Sequence, residues 1–558
     1  MNNENRAAGY NDSQWAAICS TAPVTVVSAG PGSGKSHTIV GRILHGSGSL
    51  ERTAVITFTT SAARVLRERL AEHGATVGFA GTIHSFCLSL LRRYHDLVGY
   101  GPKISVLDED SATALLKRTI KAQRYTGTIE AAKNALKAFI QTNPKKPEEL
   151  VAAAVWRQMR ASNAVDFDGL LLLGCKLLIQ PKVLMEWKYL DLAWDEMQDA
   201  SDIFYYIFKA IPAKRKFAVG DACQSIMGFL KADVRIILDA MKNGAACFRL
   251  EDNFRCPVSV CRLADKLIAH NGVSDRTVSA TGREGHIAVH AAATARDEAK
   301  WIANRIHEFD EMPQPPDGPS SIAVLLRSNQ QRIEMSNLLE GFGVRVEKKE
   351  TTEQIMDWGK TKALLNALSD PDNEMFAEAL IRLWKPDEAD AIISSAVASL
   401  QSLNDACLHL PTCQSARQAI DYIASKKPSE AALARLNAAL KLLPETASIA
   451  DLQIALSEQQ DTGRTTIPGV RVCTLHSSKG QEFDVVFMPA MEEGFFPSDA
   501  DAKTPESEQE SRRLCYVGVT RSSDYLFLSY AAKRKPLFHG REQPTKPSRF
   551  LFEMGVLK

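Results

Sequence analysis

The sequence predicts an α/β fold in which two parallel-sheet cores are each interrupted by a helical insertion. Three observations point to it. Apolar β-branched runs alternate with amphipathic helical stretches along most of the chain, the pattern of layered α/β structure with parallel strands. Residues 101–185 and 360–465 break that rhythm with Ala- and Leu-rich helical periodicity and few strand signals. A glycine-rich loop directly follows the first apolar run.

Strands are expected at Pro23–Ser28, Thr53–Phe58, Leu190–Trp194, Lys216–Val219, Ile322–Leu326, Val470–Thr474, Val485–Met488 and Tyr525–Ser529. Between Ser61 and His73, Ala62, Leu66 and Leu70 alternate with Arg64, Arg67 and Glu68 at helical spacing, which gives an amphipathic helix. From Lys385 to Gly463 the only aromatic is Tyr422, so a small aliphatic core is expected there. Proline-rich punctuation at Asn143–Pro147 and Met312–Pro319 marks surface loops. The expected organisation places the first core in 1–100 and 186–250, around an insertion at 101–185. The second core occupies 251–359 and 466–558, around a shorter insertion at 360–465.

The 558 residues suffice for three or four domains at about 150 residues each. With 67 Lys+Arg against 66 Asp+Glu, the net charge of +1 excludes a generally basic nucleic-acid coat, so any such binding must come from local sites. No apolar run reaches the roughly 18 residues of a membrane span, and the first residues lack the apolar core of a signal peptide. Eleven cysteines without paired CxxC spacing argue against a disulfide framework or a structural zinc site, and a reducing cytoplasm is expected.

The strongest local signal is Ala29-Gly30-Pro31-Gly32-Ser33-Gly34-Lys35-Ser36, between a strand and a helical run. Such a loop turns backbone N–H groups toward a polyphosphate, and the helix N-terminus adds partial positive charge. Lys35 would reach the β/γ-phosphates of ATP and the Ser36 hydroxyl would hold Mg2+. Ala29 stands where the strict pattern has glycine. Further on, the strand 190–194 ends in Asp195-Glu196. Adjacent acids there suit phosphoryl transfer, with Asp195 on the metal and Glu196 as the base that activates water. Taken alone, the pair reads equally as a solvated acidic turn. Gln224, at the end of another strand, is a candidate γ-phosphate sensor.

Taken together, Gln14, AGPGSGKS, TFTTSAARVLRERL, GTIHSF, WDEMQD, GDACQSIMGF, LEDNFR, TLHSSKGQEFDVVFMPAMEEGFFP and RRLCYVGVTR resemble, in order, the motifs of the superfamily-1 UvrD/Rep/PcrA DNA helicases. The resemblance runs from Gln14 to Arg521 and implies two RecA-like P-loop NTPase domains. It implies that Gln14 reads adenine, that Phe254 lies against the base and that Glu482 holds the ribose. Arg255 and Arg521 would reach the γ-phosphate as arginine fingers, which stabilise charge developing in the transition state. On the nucleic-acid side, Thr57, Phe58, Thr59 and His84 match the first domain's single-strand track, and Thr474 and His476 match the second domain's. By position alone, Phe58 is also a plausible core aromatic, and His476 a plausible satisfied interior histidine.

The chain departs from the family's motif after Gln-Ser-Ile. Met227 stands for the usual Tyr and Leu230 for the usual Arg, while Phe229 keeps one aromatic for the strand. The expected function is an ATP- and Mg2+-dependent single-stranded DNA translocase or helicase acting on single strands or single/double-strand junctions. The resemblance implies 3′→5′ polarity. The second insertion is short for the family, and the segment after Arg521 is expected to be too short for an appended nuclease domain. The alternative function is an ATP-sensing helicase-like subunit that works with a nuclease partner, as in antiphage systems of the Gabija type. No membrane association is expected.

Overall fold

The structure is a computed structural model that describes residues 9–137, 144–226, 245–272, 277–311, 321–347, 352–371, 373–385, 387–399, 402–404, 408–458, 469–535 and 542–558. Its first sheet is parallel throughout, in the order Phe79–Thr82, Thr53–Thr57, Tyr189–Trp194, Ala213–Gly220, Val24–Ala29, Ala246–Leu250. Side chains alternate between its two faces, as the strand period of two requires. Ile56, Leu192 and Trp194 enter one core with helices Ile83–Arg93 and Phe167–Leu178, whereas Val55, Ala193 and Val219 enter another with Lys35–Gly41 and Thr60–Glu72. Both faces are thus covered, which accounts for the nearly uninterrupted apolar runs.

The second sheet repeats this plan in the order His286–Thr294, Ser522–Arg534, Phe483–Met488, Ile322–Leu326, Arg471–Thr474, these five parallel, with the short Gln543–Pro544 antiparallel to Ser522–Arg534. Leu325, Val486 and Leu526 face one core, and Val324, Val485 and Phe527 face the other. Every expected strand forms within a few residues of its expected bounds. Three further strands of four residues or more, Phe79–Thr82, Ala246–Leu250 and His286–Thr294, had no strong signal in the sequence. They are short, or rich in alanine and polar residues, and their pairing partners decide them.

The insertions differ from expectation in two respects. Residues 101–185 are not wholly helical, because Ser105–Leu107 pairs in parallel with Ala164–Asp166. The second insertion does build a small aliphatic core, of Ala377, Ile381, Ala389, Ala396 and Leu403, but most of its buried residues pack elsewhere. Ala363, Leu368, Phe376, Leu436 and Leu452 share one core with Leu107, Leu115, Val151 and Val155 of the first insertion. Segments far apart in sequence thus form one helical body. It rests on the first sheet's layer through Ala450 and Ile454, and through an Arg92–Asp451 ion pair at 3.1 Å.

Candidate functional site

Both sheets deliver their chemistry at the carboxyl ends of parallel strands, where α/β folds bind ligands. Val24–Ala29 leads into the glycine-rich loop, and the helix Lys35–Gly41 begins at Lys35. Gly34 has φ 78°, the left-handed region that favours glycine, and a Cβ there would stand 2.8 Å from Gln14 Nε2. The buried Gln14 donates from Nε2 to the Ser33 carbonyl at 3.1 Å, so the expected adenine reader is fixed against the loop. The side-chain amide of Gln14 also closes a capping box with Asn11. Lys35 Nζ lies 3.5 Å from the Ala29 carbonyl.

The strand Tyr189–Trp194, separated from the loop's strand by Ala213–Gly220, places the acids opposite that loop. Ser36 Oγ donates to Asp195 Oδ2 at 3.3 Å. Burial, then the adjacent Glu196 charge, push the Asp195 carboxyl up to about 7, against the pull of Lys35. A buried hydroxyl–carboxylate pair carrying excess negative charge fits Mg2+, a hard cation that takes oxygen ligands. Burial also raises Glu196, but Lys35, Lys479, Gln198 and Arg521 outweigh it and hold this carboxyl below the ordinary range. Glu196 therefore stays ionised, as a base must. Its backbone sits at φ 57°, an uncommon conformation for a residue with a side chain. Gln198 Nε2 donates to Glu196 Oε2, and Gln198 Oε1 accepts from the Asp221 N–H at 2.8 Å. Gln224 Nε2 donates to Asp221 Oδ2 at 2.8 Å, so the candidate sensor is tied into the same network.

The second half of the chain closes on this group. Phe254 N–H donates to the Gly32 carbonyl at 2.8 Å, and a Cβ on Gly32 would clash with Asn253 and Arg255. Phe254 itself is 53% exposed beside the loop, open to a stacking partner. Arg255 Nε pairs with Glu482 Oε2 at 2.6 Å, bringing together the expected finger and ribose ligand. Arg521 is buried and donates to the Val517 and Gln481 carbonyls. Burial and the nearby Arg255 charge lower its guanidinium to about 10, which still leaves it cationic at neutral pH.

Lys479 carried no expectation, yet it links the halves. Its Nζ donates to both Asp199 oxygens at 2.6 Å and to the Gln224 carbonyl at 2.8 Å. Arg513 adds a bond to the Ser225 carbonyl at 2.7 Å. Its sequence signal was its place in the motif TLHSSKGQEFDVVFMPAMEEGFFP, which assigned it no role.

Four residues expected on the strand track, Thr57, Phe58, Thr59 and His84, line one cavity of about 830 Å3 between the first sheet and the helical body. The structure also gives two of their hydroxyls local duties. Thr57 Oγ1 donates to the Thr59 carbonyl at 2.9 Å, and Thr59 Oγ1 caps the helix Thr60–Glu72. Thr474 and His476 lie outside that cavity, at the end of a second-sheet strand, where Thr474 bonds Ser477. Burial, then the Arg327 charge, lower the His476 imidazole to about 4. Phe229, Met227 and Leu230 lie outside the described residues.

A glycine-rich loop, adjacent acids on the next strand but one and two arginines brought in from a second parallel sheet form one cleft, the arrangement of a P-loop nucleotide hydrolase with two RecA-like halves. The chain belongs to the UvrD/Rep helicase family. The profile of the UvrD/REP helicase N-terminal domain matches residues 10–244, and that of the UvrD-like helicase C-terminal domain matches 248–411 and 413–533. Relatives include the ATP-dependent DNA helicase PcrA of Leuconostoc citreum, 27% identical over all of this chain and 86% of its own length. Enzymes of the same name from Staphylococcus aureus strain Mu50 and Staphylococcus epidermidis are 27% and 26% identical, over 98% of this chain and 86% of theirs. Family membership makes the chain an ATP-hydrolysing DNA helicase.

Proposed function

We propose that the protein is an ATP- and Mg2+-dependent motor that moves along single-stranded DNA in the 3′→5′ direction. One observation carries this reading. The adjacent, parallel strands Thr53–Thr57 and Tyr189–Trp194 end side by side, one in Phe58 and the other in Asp195 and Glu196. The strand groove and the hydrolytic acids therefore share one end of one sheet, and Asp199 lines the groove while bonding Lys479 from the other half.

In this mechanism Gln14 and Phe254 hold the base, Glu482 the ribose, and the loop 29–36 the phosphates. Ser36 and Asp195 would hold Mg2+, which supplies charge neutralisation at the phosphate oxygens when bound. Glu196, kept ionised by its cationic neighbours, takes the proton of the attacking water. Arg255 and Arg521 contribute from the second half, so hydrolysis responds to how tightly the cleft is shut. Reopening after hydrolysis lets the two halves regrip the strand, with bases stacking on Phe58.

Two variants test the hydrolytic assignment. Lys35→Ala removes the phosphate clamp, and Glu196→Gln removes the base while keeping its shape. Both are expected to abolish turnover, and only Lys35→Ala to weaken nucleotide binding strongly, as read by nucleotide titration beside a steady-state assay. Wild-type turnover by Glu196→Gln would remove the base from this account.

A further inference from the structure

The groove beside Phe58 has a second wall, and that wall comes from the second insertion. Trp358, Lys362, Asn366 and Gln453 line the same cavity of about 830 Å3 as Phe58 and His84, within the size range of small-ligand pockets. We propose that this cavity admits one nucleobase of the bound strand and reads its exocyclic amine through Gln453. The inference rests on the single-strand reading above.

Three features define the occupant. The first-domain wall is aromatic. Phe58 and Phe204 lie 6.4 Å apart, and His84 stands edge-on to Phe167 and Phe204 at 5.5 Å each. Flat heterocycles suit such a wall, and stacking there is tolerant of base identity.

The charge of the lining excludes the backbone. Asp108, Glu109, Asp168 and Asp202 all line the cavity. Its two lysines are already engaged, Lys137 with Asp168 at 3.2 Å and Lys362 with Asp108 at 3.0 Å. The lining carries more carboxylates than cations, so a phosphate entering here would meet net negative charge, whereas a base edge rich in N–H donors would meet acceptors.

The third feature supplies the reading group. Gln453 is 4% exposed. Its Nε2 donates to Asn366 Oδ1 at 2.7 Å, and Asn366 Nδ2 donates to Ser111 Oγ at 3.2 Å. That relay orients both amides and leaves Gln453 Oε1 buried without a donor among the described residues. A buried acceptor without a donor is costly, and a ligand that supplies the missing N–H recovers that cost on binding. Adenine, cytosine and guanine each carry an exocyclic amine. Thymine's single ring N–H is flanked by two carbonyls, which would face the acidic lining.

The test uses the whole chain and two strands of equal length, oligo(dA) and the same strand built from the purine deoxynucleoside that lacks only the amine. Binding is followed by anisotropy and by ATPase stimulation. The wild type is expected to bind oligo(dA) about three- to tenfold more tightly, the range of one hydrogen bond. Gln453→Met, which keeps length and removes the acceptor, is expected to equalise the two strands. Equal affinities in the wild type would overturn the proposal, as would a preference that survives Gln453→Met. Should that variant misfold, the wild-type comparison decides alone. Failure of both strands to bind or stimulate would instead overturn the single-strand reading on which the pocket depends.

Discussion

At the scale of the residue, the site is governed by what burial and charge do to a few side chains. His476 illustrates the sign. Its imidazole is lowered from 6.5 to about 4 by burial and then by Arg327. Between those values the unfolded chain binds a proton that the folded chain refuses, so stability falls as pH drops from 6.5 toward 4. A titration followed by imidazole proton NMR is expected to show no inflection for His476 above about pH 5, roughly one unit over its lowered value. An inflection near 6.5 would place this side chain in water instead. The motif residues were legible because their chemistry demands fixed spacing in one short segment: glycines for the loop, Lys35 and Ser36 for phosphate and metal, Asp195 and Glu196 at a strand end. Lys479, Gln198 and Asp221 were not, because their roles depend on partners in other segments. The ion pair from Lys479 spans 280 positions to Asp199.

At the scale of the element, the cleft depends on groups that cross between the halves. Arg255 and Arg521 reach the cleft from the second half of the chain, so replacing either with alanine is expected to lower turnover about 10³-fold while changing ATP affinity far less. Rapid-quench kinetics beside equilibrium titration separate the two effects. Normal hydrolysis by both variants with DNA present would contradict the cleft. The clasp between Lys479 and Asp199 is more deeply buried, with side-chain exposures of 10% and 2%. Lys479→Met leaves that carboxylate buried and unpaired, a loss of about 3–5 kcal/mol. Adding Asn at 199 is expected to restore most of it in thermal unfolding, and additive losses would contradict the direct pairing. Elements with strong apolar β-branched runs, such as Thr53–Thr57 and Ile322–Leu326, could be read in advance. The strand His286–Thr294 could not, since its Ala- and His-rich face acquires strand character only beside Ser522–Arg534.

At the scale of the molecule, two parallel-sheet halves meet at the glycine-rich loop, and a helical body meets the first sheet around a cavity of about 830 Å3. Both sheets and the cleft follow from sequence periodicity and motif order. The fusion of the insertions does not, because it is a tertiary event between 101–185 and 360–465, which local pattern cannot register. The fused body gives the cavity beside Phe58 its second wall, and the first sheet gives that cavity a common edge with Asp195 and Glu196. Strand occupancy and hydrolysis are therefore expected to be coupled. With a net charge of +1, binding comes from a narrow track, so affinity should fall with salt at a slope reflecting only a few phosphates. The most direct measurement is the ATPase rate against added single-stranded DNA at two salt concentrations, for the wild type and Phe58→Ala. The account predicts stimulation of about severalfold or more in the wild type, blunted by Phe58→Ala with basal turnover intact. A flat response of the wild type to DNA would contradict it.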